Sequence, residues 1–406
     1  MVAHADKSTI FGVLGFRALG DFAQAIMVCS YLKRKIGDAV LLVYAQNDRP
    51  YKADLVNLCP DIDDKVFASG PGIPLDWLDF AAENPNSPPQ ELVERGFVHA
   101  NLVASPWMIQ AMIENGAVEF VPCLRFSEEL GREVQGRLVA AGVSEDRWIV
   151  CIHVRQDGYR YRQPKSPRSV DPEPFFQLTD YIIDDLGGQV VCLGSANMKP
   201  APARPHLVDL TMDEDFLLQA YALSRARFAV VTDSGMQAVA NGLAVPFAVT
   251  NLDWVGAGLS GRNDYPLIHD QHLLMSRRLF YEDNVPSGPE ASGKMTRITD
   301  RIVAFDNTVT DLRTLIDRML EMTHDCAGWR ETYVGGAIQA ADGITFPIPR
   351  RPRPISSLNW ARPPWWDEAP ELADDFRRLA PLEYVELEDG SLIVRSIFQQ
   401  SPLASP

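Results

Sequence analysis

Short apolar runs alternate with longer segments whose apolar positions recur every three to four residues, and this alternation occurs twice along the chain. The first series opens with Ile10–Phe16, an apolar run of strand length followed by the tight loop Arg17-Ala18-Leu19-Gly20-Asp21. Asp21–Gly37 then has helical spacing, with Ala25, Cys29 and Leu32 near one face, three cations in its last turn, and Gly37 as a stop. Ala39–Ala45 reads as a second buried strand, and a strand–helix–strand of this length implies parallel pairing. The pattern blurs over the next eighty residues, until a helix near Glu128–Ala141.

The second series begins at Trp148. Strands are expected at Trp148–Val154, Gln189–Gly194, Phe228–Thr232 and Val245–Asn251. Between them lie a helix over Asp171–Leu186 with proline in its first turn, one opening at Thr211 with Glu214 at capping-box spacing, and a short one over Met236–Ala244. Asp253–Thr299 reads as irregular, Asn307–Met322 as a helix, and the chain from Ile344 as a Pro- and Trp-rich extension. That extension, with tryptophans at 360, 365 and 366, is expected to pack along the body and to close in a hairpin with a two-residue turn at Asp389-Gly390. The expectation is α/β: two doubly wound Rossmann-like domains, 1–145 and 146–330, and an extension, 331–406.

Composition narrows the function. The formal net charge of −16 disfavours a nucleic-acid partner. No apolar run is long enough for a membrane span, and the N-terminus lacks a secretory pattern, so a cytoplasmic location is expected. Six scattered cysteines without a C-x-x-C pair read as reduced thiols.

Three constellations carry candidate chemistry. The first, Gly15–Asp21 with Arg17 and Gly20, sits where a strand meets a helix, the usual place for an anion in an open α/β sheet; it reads either as such a site or as a plain turn at Gly20 with Asp21 as helix N-cap. The second runs from His153 through Arg155, Tyr159, Arg160 and Lys165 to Arg168. Five cations in sixteen residues of an acidic chain read either as a well for a polyanion such as a diphosphate or as a solvated loop paired with acidic neighbours. The third, Thr232-Asp233-Ser234-Gly235 with Asn251 downstream, reads as a phosphate cradle or a capping turn. Asp61/Asp63 and Asp213/Asp215 mimic D-x-D metal motifs but stand in turn and capping contexts; His269 and His272 lack a third ligand. No metal and no cofactor are expected.

With these residues in view, His153-Val-Arg155-x-x-Gly158-Tyr159 and the Ser234-Gly235…Pro246…Thr250-Asn251 segment resemble a group of bacterial glycosyltransferases over residues 148–325. The His153-x-Arg155 element is similar to the H-x-R signature of fucosyltransferases, whose arginine binds the donor diphosphate; Gln156 stands where those carry a second arginine. The Leu19-Gly20-Asp21 loop resembles that of heptosyltransferases of the GT-B fold. That likeness implies Asp21 as catalytic base and Asp233, Ser234 and Gly235 as donor-phosphate binders. The resemblance implies an inverting, metal-independent glycosyltransferase of GT-B-like architecture, its halves facing across a cleft, taking a nucleotide-sugar donor and a glycan, lipid-linked or small-molecule acceptor. Nucleotide-sugar 2-epimerases share the Asp-Ser-Gly segment, so epimerisation, or nucleotide-sugar binding without catalysis, stays open.

Overall fold

The structure, a computed structural model, describes residues 8–16, 18–68, 102–104, 106, 109, 122–156, 168–252, 272–282, 285, 294–297, 302–323, 382–386 and 392–396. The first half is built from β1 (Ser8–Leu14), α1 (Leu19–Ile36), β2 (Ala39–Gln46), α2 (Pro50–Leu58), β3 (Asp64–Ala68) and β4 (Leu102–Ala104). Its four strands pair in the order β3-β2-β1-β4, all parallel, with Ile10 opposite Leu41 and Leu102. Every residue of β2 is buried, as a parallel strand covered on both faces requires.

The second half contains β5 (Ile149–His153), α4 (Glu173–Asp180), β6 (Gln189–Leu193), β7 (Leu207–Asp209), α5 (Phe216–Arg225), β8 (Phe228–Thr232), α6 (Gly235–Gly242), β9 (Phe247–Leu252) and β10 (His272–Ser276); α3 (Glu128–Ala140) precedes them. Its sheet runs β10-β9-β8-β5-β6-β7, again all parallel. Renumbered from its own first strand this is the 3-2-1-4-5-6 order, whose switch point lies between β5 and β8. The first sheet has the 3-2-1-4 part of the same order, with its switch point between β1 and β4. The structure is therefore mixed α/β with two parallel sheets, as the alternation predicts.

The chain crosses between the halves near Cys123–Arg125. There the N–H groups of Cys123 and Leu124 both donate to Gly242 O (3.0 and 2.9 Å), and Arg125 N–H donates to Leu58 O (2.8 Å). One continuous apolar core runs from β1 through α1 and α6 to β9, joining both halves. A second core lies on the other face of the larger sheet, under α4 and α7 (Val309–Met322). Thr308 and Asp311 form a complete capping box at the start of α7.

Two expectations are corrected. The Thr211–Glu214 box does not form: α5 starts at Phe216, and Asp215 is its N-cap, accepting from Leu218 N–H. Asp215 wins because its own N–H is held by Asp213 Oδ1, which fixes the extended backbone an N-cap needs. The 253–299 stretch is not wholly irregular. It holds β10, β11 (Arg278–Tyr281) and β12 (Met295–Arg297), and the last two flank β13 (Ile302–Phe305) in an antiparallel sheet. β14 (Leu382–Glu386) pairs with β15 (Leu392–Ser396) as the expected antiparallel hairpin, and Asp389-Gly390 lies outside the described residues. The tryptophans of the extension lie outside the described residues.

Candidate functional site

The two switch points meet. Gly20 is the second residue of α1 and Gly235 the first of α6, and the two backbones touch. A Cβ on Gly20 would lie 2.9 Å from Gly235 Cα; one on Gly235 would lie 2.6 Å from Gly20 N. Neither glycine is needed for an unusual φ; both are needed because nothing larger than hydrogen fits between the helices. Asp21 follows Gly20 and Ser234 precedes Gly235, so the first and third constellations become neighbours although some two hundred residues separate them.

Asp21 is not the N-cap. Ala18 occupies that position without a side-chain hydrogen bond, and Asp21 is the acid in the first turn of α1. The helix begins at Leu19, two residues before the start the sequence predicts, so Leu19 and Gly20 are helical. A carboxylate in the first turn interacts favourably with the helix dipole there. Asn241 near the far end of α6 and Met27 within α1 extend the contact: Asn241 Nδ2 reaches Met27 Sδ at 3.7 Å.

The end of β5 lies beside this junction. His153, 5% exposed, shares a hydrogen bond of 3.0 Å between its Nδ1 and Ser234 Oγ. Burial pushes its imidazole down to about 4, and the charge of Arg155 acts in the same direction, so His153 is neutral at pH 7. Ser234 stands at the N-cap of α6 but spends its hydroxyl on His153, making no side-chain cap bond to its own helix. The Arg155 backbone is pinned on both sides: its N–H donates to Thr232 Oγ1 (2.8 Å) and its carbonyl accepts from Val170 N–H (2.8 Å). The Arg155 side chain is buried. Arg168 at the exit of the cation loop pairs with Asp233 (3.2 Å), so that carboxylate meets a guanidinium. Gln156 Oε1 accepts from Lys199 N–H at 2.7 Å.

The structure thus brings together Gly20, Asp21, His153, Arg155, Asp233, Ser234 and Gly235. Arg17, Tyr159, Arg160 and Lys165 lie outside the described residues. Asn251, the penultimate residue of β9, has φ 56°, a left-handed conformation asparagine tolerates, and it exchanges two hydrogen bonds with Asn307: Asn251 N–H to Asn307 Oδ1 (2.8 Å) and Asn307 N–H to Asn251 Oδ1 (2.7 Å). Its side chain is committed to that exchange. Thr232 and Arg168 fall within the third and second segments marked in the sequence, but the bonds by which they anchor the turn, to Arg155 N–H and to Asp233, are tertiary and have no local signal.

Of the other carboxylates, Asp61 accepts from Arg34 (2.8 Å) and Ser30, and Asp63 from Lys33 (2.5 Å) and Leu41 N–H (2.7 Å), at the end of α1 remote from Gly20. Among the described residues no group of three His, Cys, Asp or Glu side chains is placed to hold a metal ion. Five cysteines are free and buried; Cys326 lies outside the described residues. No helix among the described residues is long and apolar enough to cross a membrane.

No protein-family model and no curated protein matches the sequence. Similar solved structures exist. The crystal structure of a glycosyl transferase family 9 protein from Veillonella parvula is 15% identical with a TM-score of 0.45, over 67% of this chain and 86% of that one. The E. coli ADP-heptose LPS heptosyltransferase II is also 15% identical, with a TM-score of 0.48, over 79% of this chain and 99% of that one. The E. coli heptosyltransferase WaaC with ADP is 9% identical with a TM-score of 0.43, over 77% and 99%.

Proposed function

We propose that this chain is a glycosyltransferase of GT-B type that moves a sugar from a nucleotide-sugar to an acceptor hydroxyl, inverting and without a metal. The observation that supports the reading is the Gly20–Gly235 contact, which sets two helix N-termini against each other, with Asp21 next to Gly20 in sequence and Ser234 next to Gly235. Each N-terminus carries roughly half a positive charge, so two in contact repel one another and attract an anion. A diphosphate at the first turn of α6, with the Arg155 charge behind it and Arg160 and Lys165 from the loop, satisfies that demand. The uncharged His153 holds the Ser234 hydroxyl without adding charge of its own.

In this reading the acceptor enters from the first half. Asp21 takes the proton of the attacking hydroxyl while the cations stabilise the departing nucleoside diphosphate. The work of a divalent ion falls to arginine and lysine. The protein would act in the cytoplasm on a glycan, a lipid-linked or a small-molecule acceptor.

The test is calorimetric titration with UDP, GDP, ADP, CDP and dTDP. One of them should bind the parent protein, and Arg155→Ala should weaken that binding by about 1.5–3 kcal/mol. Melting temperatures recorded alongside separate lost binding from lost folding, since Arg155 is a buried side chain. Binding of none of the five diphosphates would refute the reading.

A further inference from the structure

The antiparallel sheet β11–β13–β12 has no place in the two doubly wound halves, yet its edges converge on the segment where the cation loop returns to the body. Lys294, one residue before β12, donates from Nζ to Ser169 O at 2.6 Å. Asp306, one residue after β13, accepts from Asp171 N–H at 2.8 Å through Oδ2. Arg277, between β10 and β11, pairs with Asp306 at 3.0 Å with both side chains fully buried, and its Nη2 lies 3.4 Å from Ser169 O. The frame is itself tied down. Arg277 N–H donates to Leu252 O (2.8 Å), Asp306 N–H to Lys294 O (3.2 Å), and Asn307 makes the exchange with Asn251.

What is held is a three-residue stretch flanked by the site. Ser169 is 1% exposed, Val170 donates to the Arg155 carbonyl, and Arg168 reaches Asp233. A hydrogen-bonded path therefore runs from the small sheet through 169–171 to Arg155 and on to Thr232. These contacts join residues 125 and 135 positions apart. We propose that the small sheet anchors the exit of the cation loop, and that Lys294, Arg277 and Asp306 are positioning residues that set Arg155 and Arg168 against the turn that binds the nucleotide. The nucleotide part rests on the function proposed above; the anchoring part does not.

Lys294 is the residue to perturb, because breaking the fully buried Arg277–Asp306 pair would strand a charge in the core. Lys294→Met keeps the aliphatic stem and removes the donor; Lys294→Arg keeps a donor; Lys294→Leu serves as the second deletion should Lys294→Met not fold. Two readouts are taken beside the melting temperature. The first is trypsin cleavage after Arg168 under native conditions, mapped by mass spectrometry, since the buried Ser169 carbonyl protects that bond. The second is affinity for whichever of the five nucleoside diphosphates the parent binds. Lys294→Met should accelerate the Arg168 cut and weaken binding by about tenfold each, the equivalent of one charge-assisted hydrogen bond. Lys294→Arg should restore both. An unchanged Arg168 cut, or acceleration spread evenly over the chain, overturns the proposal. Accelerated cleavage with unchanged affinity overturns its nucleotide part. Should the parent bind no nucleotide, the function above fails while the cleavage experiment still decides the anchor.

Discussion

Two glycine-to-alanine substitutions distinguish local from tertiary control of the candidate site. Gly136 and Gly20 both lie inside helices, α3 and α1, where glycine is less favourable than alanine by about 0.5–1 kcal/mol. A Cβ on Gly136 meets nothing within 4 Å, so Gly136→Ala should stabilise the protein by about that amount. Gly20→Ala gains the same intrinsic term but puts its methyl 2.9 Å from Gly235 Cα. Carbon atoms in contact prefer about 3.5–4.0 Å, so the helices must part by roughly 0.6–1.1 Å. The obstacle is backbone and cannot turn aside as a side chain can; such overpacking costs about 1–3 kcal/mol. Gly20→Ala should therefore fall below Gly136→Ala by about 1–3 kcal/mol, read from urea midpoints at a shared slope. Gly235→Ala should be worse, because its Cβ would meet Gly20 N at 2.6 Å and Leu19 Cβ at 3.0 Å together. Equal stabilisation by Gly20→Ala and Gly136→Ala would refute the claim that this contact fixes how the two halves meet.

His153 makes stability pH-dependent. Its folded-state value, about 4, lies below the ordinary 6.5, so the unfolded chain binds the extra proton, and stability falls as pH drops from about 6.5 toward 4. The parent should lose about 2 kcal/mol more than His153→Gln between pH 7 and pH 5, and parallel unfolding curves for the two proteins at both pH values would contradict the burial argument. Asp21→Asn should change stability by less than about 1 kcal/mol, the scale of a first-turn charge on the helix dipole, yet slow transfer by about 10²–10⁴-fold; near-parent turnover would remove Asp21 from catalysis. Turnover should survive excess EDTA, and a loss that Mg²⁺ or Mn²⁺ restores would overturn the metal-free mechanism.

The sequence alone determined β1, α1 and β2 of the first half and α3, β5, α4, β6, β8, α6 and β9 of the second, because these are written in local periodicity: the near-continuous apolar runs of β2 and β5, the helical spacing of α1 ending at Gly37, and the alternation that forces parallel pairing; α2, β3, β4, β7 and β10 lie in stretches whose local pattern is blurred or irregular. It also marked the three segments that the structure brings together, since a polar turn after a buried strand is a local signal. What it did not contain is the reason for Gly20. Read locally, glycine before aspartate is a turn before a cap; in the structure it is a helical residue, kept small by Gly235 of the other half. The small sheet escaped notice for the same reason. Its strands are three or four residues long, and its purpose lies in bonds from Lys294 and Asp306 to a loop more than a hundred positions away. Periodicity reports which face of an element is buried, but the neighbour that fills that face is chosen by close packing across the whole chain, and only the tertiary structure decided it.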